Sequence, residues 1–175
     1  KTGIIIKPVF SVNYSKNDYK MKNVQIRNAE GTEFITTDRR RFHDDYLSLF
    51  GQMEVGVTDQ SWADAFFVSA SLSKIDKELQ TGSTQSWVYG MAERNTKSAN
   101  VSARYNKSDF LLDDLNVSAS LSHTWDHSET VDTTYRKYFW DGSYINGHHS
   151  EVRGRARSWR HYKRPMTIVR SNVEY

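Results

Sequence analysis

An unbroken alternation of apolar and small polar residues over 115–125 is the feature that most limits how this chain can fold. Asn, Ser and Thr occupy the even positions. Apolar residues and one His occupy the odd positions: Leu115, Val117, Ala119, Leu121, His123 and Trp125. Side chains alternate between the two faces of a strand, whereas a helix would distribute both sets around its axis. The stretch is therefore predicted to be a β-strand with one apolar and one polar face.

The length of this strand leaves two hypotheses open. Strands of soluble domains usually run to about 5–6 residues, and transmembrane strands need about 9–11 residues when tilted. The polar face would suit a wet lumen, and Trp125 stands where an interfacial aromatic girdle would lie. The alternative is one long strand of a soluble sandwich or barrel.

Five further stretches alternate in the same way, which predicts an all-β fold of six antiparallel strands. The predicted strands are 4–15, 45–58, 62–75, 97–106, 115–125 and 167–175. Within them, Phe66, Val68 and Leu72 should share one face with the odd-numbered residues of 117–121, and the intervening serines should share the other.

The connections between these strands alternate between long and short. Long polar excursions cover 16–44, 74–96 and about 126–166, and short links cover 59–62 and 106–114. The first excursion could contain a hairpin of 24–27 and 34–37 that turns at Glu30-Gly31. Outer-membrane barrels have short turns on one side and long loops on the other, with strands passing between them. The order predicts an up-and-down barrel segment with its long loops at one end.

Composition agrees with a barrel whose polar face contacts water. The 175 residues suffice for one domain, and 37% are hydrophobic, 13% are aromatic and the mean hydropathy is −0.74. The aromatic content argues against disorder, and the absence of cysteine excludes disulfides and thiolate sites. The net charge of +3 is small and localised, so it indicates little about partners. Both ends fall where a longer chain could continue, so we interpret 1–175 as a fragment.

The strand pattern, together with three short phrases, resembles the TonB-dependent outer-membrane receptors. The phrases are Trp62-Ala63-Asp64, 77–82 (Lys-Glu-Leu-Gln-Thr-Gly) and Trp140-Asp141-Gly142. The resemblance covers nearly the whole chain and implies a segment of a 22-stranded barrel that encloses a plug. The plug and the energy-coupling box of the family have no counterpart in 1–175.

This resemblance implies a segment of an outer-membrane receptor that imports a scarce or large nutrient, such as a metal chelate, a vitamin or a glycan. The expected partners are that nutrient at the extracellular loops, outer-membrane lipid and lipopolysaccharide, and the TonB complex through the absent plug. We expect no nucleic-acid partner, no catalytic residue, no cofactor and no bound metal. An isolated segment with open edges and an apolar face is expected to form homo-oligomers.

Several motifs could carry chemistry but are better explained as ordinary polar residues. Ser71 and Lys74 match S-x-x-K, yet in a strand they would point to opposite faces. Three histidine-acid groups have the residue types of a metal site, but solvated loop residues are the favoured explanation for all three: His43-Asp44-Asp45, Asp126-His127 with Asp132, and His148-His149 with Asp141.

A basic run interleaved with aromatics is the clearest charge feature. It contains Arg153, Arg155, Arg157, Arg160, Lys163 and Arg164 around Trp159 and Tyr162, against the single acid Glu151. Such a run can bind nucleic acid, and in an external loop the phosphates would be those of lipopolysaccharide. A plain solvated loop is the favoured explanation for most of these charges. The candidate ligand-binding residues are Trp140, Asp141, Tyr144, Arg157 and Trp159. The alternative function is a soluble β-sandwich or barrel that binds carbohydrate through loop aromatics.

Overall fold

Ten β-strands form the regular structure in this computed structural model, which describes residues 3–27, 32–82, 85, 87–152 and 157–175. No helix among these residues is long and apolar enough to cross a bilayer. The strands are β1 Gly3–Ser15, β2 Lys20–Arg27, β3 Phe34–Arg40, β4 Tyr46–Thr58, β5 Ala65–Glu78, β6 Glu93–Lys107, β7 Asn116–Asp132, β8 Arg136–Tyr138, β9 Tyr144–Asn146 and β10 Ser158–Glu174.

Six of these strands make one antiparallel sheet in the order β1-β4-β5-β6-β7-β10. Each strand pairs with the next long strand along the chain, which is the predicted up-and-down order. The all-β, antiparallel prediction is therefore confirmed. Within the described residues β1 and β10 pair with one neighbour each, so the sheet is open and does not close into a barrel.

The predicted bounds are accurate for β1 and β4, displaced by three residues for β5 and too short for β6, β7 and β10. The prediction that 126–166 is one long excursion is wrong, because β7 continues to Asp132 and β10 begins at Ser158, its cross-strand partner. From Asp126 to Thr130 the residues on both faces of β7 are polar or charged, so the period-two signal in hydrophobicity fades. The backbone hydrogen bonds between β7 and β10 do not depend on the hydrophobicity of the side chains, so the pairing continues to Asp132 and Ser158.

All three long connections leave the sheet at one end. They follow β1, β5 and β7, whereas the two short connections follow β4 and β6 at the opposite end. The predicted placement of the loops is thus confirmed. The hairpin predicted in the first excursion exists as β2–β3, and its proposed turn, Glu30-Gly31, lies outside the described residues. The β8–β9 hairpin was not predicted, since strands of three residues carry almost no periodic signal.

The register separates the sheet into an apolar face and a polar face. One cross-strand row of the apolar face runs Ile6, Val55, Val68, Ala103, Leu121, Val169. The neighbouring row of the polar face contains Glu54, Ser69, Ser102 and Ser122. The predicted sidedness of Val68 and Leu121 against the serines is confirmed, and it follows from the alternation of side chains along each strand.

Gly56 leaves room for an aromatic ring on the polar face of the sheet. Phe67, the cross-strand partner of Gly56, is buried, and a Cβ at position 56 would overlap its ring. We expect Gly56→Ala to lower the free energy of unfolding by about 1–3 kcal/mol, the usual cost of overpacking. Equilibrium denaturation by urea measures the change.

Gly51 in the same strand provides the matched control. A Cβ there would meet only Phe10 Cδ2, at an ordinary 3.9 Å. Alanine at position 51 should therefore be neutral or slightly stabilising, since glycine inside a strand costs conformational entropy. Equal effects of the two substitutions would contradict the packing of Phe67 against Gly56.

At the end of the sheet with the short connections, side-chain hydrogen bonds join the β4–β5 connection to the end of β6. The Asp64 carboxylate accepts hydrogen bonds from Lys107 Nζ at 2.9 Å and from the Ser108 amide at 2.6 Å. These donors lower the pKa of Asp64 to about 2. The Tyr105 hydroxyl donates to the Trp62 carbonyl at 2.7 Å. The strand pair β4–β5 is thereby joined to the loop after β6.

Candidate functional site

The three long connections meet in a small hydrophobic cluster, which we call the loop core. It consists of the buried residues Val24, Val88, Tyr138 and Trp140. Met21, Ile26 and Phe42 pack against it. Because β2–β3, the 79–92 segment and the β8–β9 hairpin each contribute, the loops form one joint structure. Burial of these side chains supplies the main non-directional stabilisation of the loops.

Trp140, a predicted ligand-binding residue, lies inside this loop core. Its ring is only 6% exposed, and its Nε1 donates a hydrogen bond to the carbonyl of Gln85 at 2.9 Å. The sequence alone predicts an aromatic side chain in a loop that is free to contact a ligand. Its position gives it a packing role, and the ligand role remains a prediction.

Asp141 and Tyr144 lie on the exposed tip and arm of the β8–β9 hairpin, next to Trp140. Asp141 Oδ1 accepts from the hydroxyl of Ser143 at 2.5 Å and from its amide at 2.9 Å, and these bonds lower the pKa of Asp141. The exposed ring of Tyr144 lies 4.1 Å from the Arg136 guanidinium carbon. This hairpin therefore presents one carboxylate and one arginine-stacked tyrosine to solvent.

Arg157 and Trp159 belong to a different part of the structure. The Arg157 guanidinium stacks over Tyr135 at 4.5 Å, and its amide donates to the Tyr135 hydroxyl at 3.2 Å. Trp159 lies within β10, is 64% exposed and donates from its indole nitrogen to Glu129. The five predicted residues thus divide between a loop hairpin and the β7–β10 edge of the sheet.

A buried carboxylate that the sequence analysis did not identify fastens the loops together. Glu151 Oε2 accepts from the consecutive amides of Gly90, Met91 and Ala92 at 3.2, 3.1 and 2.9 Å. Its Oε1 accepts from the Thr134 hydroxyl at 3.2 Å. Consecutive amides that converge in this way form an anion-binding nest. Burial raises the pKa of Glu151, and the amide donors act in the opposite direction.

Asp132, at the end of β7, binds the backbone at Glu151. We call the pair Asp132 and Glu151 the carboxylate latch. The two carboxylate oxygens of Asp132 accept from the amides of Glu151 at 2.8 Å and Val152 at 3.2 Å. Both acids are buried. In the sequence, Glu151 is the single acid near a basic run. No local feature indicates that backbone amides some 60 positions earlier surround its carboxylate.

The His43-Asp44-Asp45 group also links loops to strands. His43 Nε2 lies 2.9 Å from the Ala92 carbonyl, and Asp44 pairs with Arg41 at 2.8 Å. Asp45 accepts from the Tyr14 hydroxyl at 2.9 Å. Each side chain has its own partner, so the structure explains this group without a metal.

The apolar face of the sheet is exposed over a broad band. Large side chains of this face that are at least 42% exposed include Ile4, Ile6, Phe10, Val55, Val68, Leu72, Leu121, Trp125 and Val169. From Ile4 to Val12 the band extends about 27 Å along β1, at a rise of about 3.4 Å per residue. Exposed apolar patches of this extent mark interaction surfaces.

A row of basic residues borders this band on the side of the long loops. Lys74, Lys97, His127 and Lys163 are successive cross-strand neighbours on the same face. Lys74 also pairs with Asp76 at 2.5 Å. We call these four residues the basic row.

An open groove of about 540 Å³ runs from the band to the basic row. Its walls are Phe10, Leu72 and Trp125, and the small residues Gly51 and Ala99 leave space between them. Lys74, Lys97 and His127 line its polar end. The groove therefore has the shape and polarity for an amphiphile with an anionic head.

Hydrogen bonds and ion pairs link polar side chains of neighbouring strands across the polar face. Glu54 Oε1 accepts from Arg104 at 2.9 Å and from Lys7 at 3.2 Å, and both cations lie over the Phe67 ring, at 4.7 and 4.6 Å. Further along the strands the pairs are Ser69–Ser102 at 2.8 Å, Asn100–Thr124 at 2.7 Å and Ser98–Asp126 at 2.6 Å. This face is suited to contact with water.

The remaining sequence motifs are separated by the fold. Ser71 and Lys74 lie on opposite faces of β5, as expected. Asp126 and His127 likewise lie on opposite faces of β7, so the grouping of those two with Asp132 is not formed. Of the basic run, Arg153 and Arg155 lie outside the described residues, and Arg160, Lys163 and Arg164 belong to β10.

These features define an open antiparallel β-sheet with one apolar face, one polar face and a joined set of loops at one end. Comparisons with protein-family models, with curated proteins and with solved structures find no match for this chain. The resemblance to TonB-dependent receptors thus remains a prediction from the sequence.

Proposed function

We propose that this chain is a barrel segment of a TonB-dependent receptor in the bacterial outer membrane. The observation that carries the proposal is the two-sided sheet, with a broad exposed apolar band on one face and hydrogen-bonded polar side chains on the other. Outer-membrane barrels have an apolar exterior flanked by aromatics and a polar interior. Phe66 and Tyr105 at one end of the band and Phe10 and Trp125 at the other fit such girdles.

The loop end would face the exterior of the cell, since long loops in such barrels are extracellular. The parent receptor would capture a scarce or large nutrient there, such as a metal chelate, a vitamin or a glycan. Tyr144, Asp141 and Arg157 offer exposed groups for that contact. The carboxylate latch and the loop core would hold these groups in place.

Coupling to the TonB complex would come through a plug domain, which the proposal assigns to a part of the receptor outside this sequence. This chain would supply part of the barrel wall and of the ligand-capturing loops. No catalytic step is proposed. Without lipid, a second copy would be the simplest cover for the apolar face and the open edges.

Lipopolysaccharide is the partner we propose for the groove and the basic row. An acyl chain would lie between Phe10, Leu72 and Trp125, and a phosphate would meet Lys74 and Lys97 at the polar end. Charge-assisted bonds to phosphate are stronger than neutral ones. This arrangement also agrees with the position of the basic row on the side of the long loops.

Fluorescence quenching by lipids brominated on the acyl chain tests the membrane proposal. In vesicles we expect strong quenching of the whole chain, with Trp125→Phe removing more of it than Trp140→Phe. The reason is that Trp125 is half exposed on the apolar face, whereas Trp140 is buried in the loop core.

The same experiment distinguishes the outer-membrane proposal from the alternative function, a soluble carbohydrate-binding sandwich. A soluble carbohydrate-binding sandwich would not associate with vesicles, and neither substitution would alter quenching. A sandwich also packs a second sheet over the first at about 10 Å, and the apolar band stays uncovered within the described part of the chain. Absence of vesicle binding with retained strand structure would reject the outer-membrane proposal.

A further inference from the structure

Two histidines and a glutamate converge on the face of the sheet that carries the apolar band, between Trp125 and the long loops. His127 and Glu129 are two residues apart on β7, and His161 on β10 is the cross-strand partner of Glu129. One ligand atom from each residue lies within 4.8 Å of the others. His127 and Asp126 are adjacent in the sequence, but strand alternation places them on opposite faces and brings His127 to Glu129 and His161 instead.

We propose that His127, Glu129 and His161 form a binding site for a divalent transition-metal ion such as zinc. His127 Nε2 and His161 Nδ1 lie 3.4 Å apart. That separation is long for a hydrogen bond and matches the roughly 3.3 Å between two nitrogens on tetrahedral zinc with bonds of about 2.0–2.1 Å. Two imidazoles and a carboxylate would leave the fourth position open for water or an anion.

The neighbouring side chain of Trp159 orients two of the three proposed metal ligands. The indole nitrogen of Trp159 donates to Glu129 Oε1, which leaves the other oxygen available. The Trp159 ring centroid also lies 5.3 Å from that of His161. Hydrogen-bonded and packed neighbours of this kind orient ligands and strengthen metal binding.

Two lysines set the charge of the site. Lys97 and Lys163 are the cross-strand neighbours of His127 on this face, Asn95 neighbours Glu129, and Asp76 neighbours Asn95. The ammonium groups weaken the attraction for a cation and favour an anion at the open position. The metal would join β7 to the edge strand β10, so its binding should stabilise that edge.

Calorimetric titration of the untagged chain in detergent with zinc chloride tests the site. We expect one zinc per chain, and at least a tenfold loss of affinity in each of His127→Ala, His161→Ala and Glu129→Gln. His123→Ala is the matched control, because His123 lies on the same strand and face and bonds Thr167 instead. It should retain the affinity within twofold.

A second measurement needs no substitution. In nitrogen NMR spectra of the unmodified chain, zinc should shift the imidazole signals of His127 and His161 and leave those of His123 unchanged. Titrations in which the three ligand variants bind as tightly as the unmodified chain, or in which zinc shifts all histidines alike, would overturn the proposal. Both readouts are independent of lipid, so they can fail without the membrane proposal failing.

Discussion

Leu121→Arg is expected to destabilise the chain in a bilayer by about 2–4 kcal/mol, the cost of an arginine near the midplane of a barrel's lipid face. Leu121 is half exposed and lies in a central row of the apolar band, between Ala103 and Val169. In lipid its exposed half would contact acyl chains, which cannot solvate a guanidinium. Equilibrium unfolding by urea in phosphatidylcholine vesicles, followed by circular dichroism, measures the loss.

Ser122→Arg is the matched control for this substitution. Ser122 is the next residue of β7 and faces the polar side between Ser102 and Ile168. An arginine there would reach water, so its effect should stay within about 0.5 kcal/mol, as for ordinary surface changes. Should the two variants unfold alike, the apolar band does not face lipid and the membrane proposal loses its physical basis.

Glu151→Ala is expected to open the loops without unfolding the sheet. The substitution leaves the amides of Gly90, Met91 and Ala92 without their shared acceptor in a buried position. Hydrogen bonds to charged groups contribute about 1.5–3 kcal/mol each, and here three amides share one oxygen. We expect the local opening free energy of this segment to fall by about 2–4 kcal/mol.

Amide hydrogen exchange measures this change residue by residue. Protection of Met91 and Ala92 should fall sharply, while the central amides of β5 and β6 keep theirs. Glu93→Ala, which removes the exposed carboxylate of the residue immediately after this segment, is the control and should leave the protection of these amides unchanged. Unaltered protection at 90–92 in Glu151→Ala would show that the latch does not hold the loops.

The predicted ligand-binding residues illustrate why residue type alone is a weak guide. Trp140 and Trp159 look equivalent in the sequence, as aromatics within a polar stretch. The structure buries Trp140 in the loop core and exposes Trp159 on the sheet beside His161. Local sequence carries no information on which loops pack together, so it could not distinguish the two.

The sequence by itself determined the six strands of the main sheet, their order and their two faces. Alternation sets which side chains share a face, and short links require adjacent antiparallel partners, so both follow from local geometry. Only the tertiary structure decided the ends of β7 and β10, the amides around Glu151 and the approach of His127 to His161. Each of these depends on register or on packing between segments far apart in the chain, and no periodic pattern records such distances.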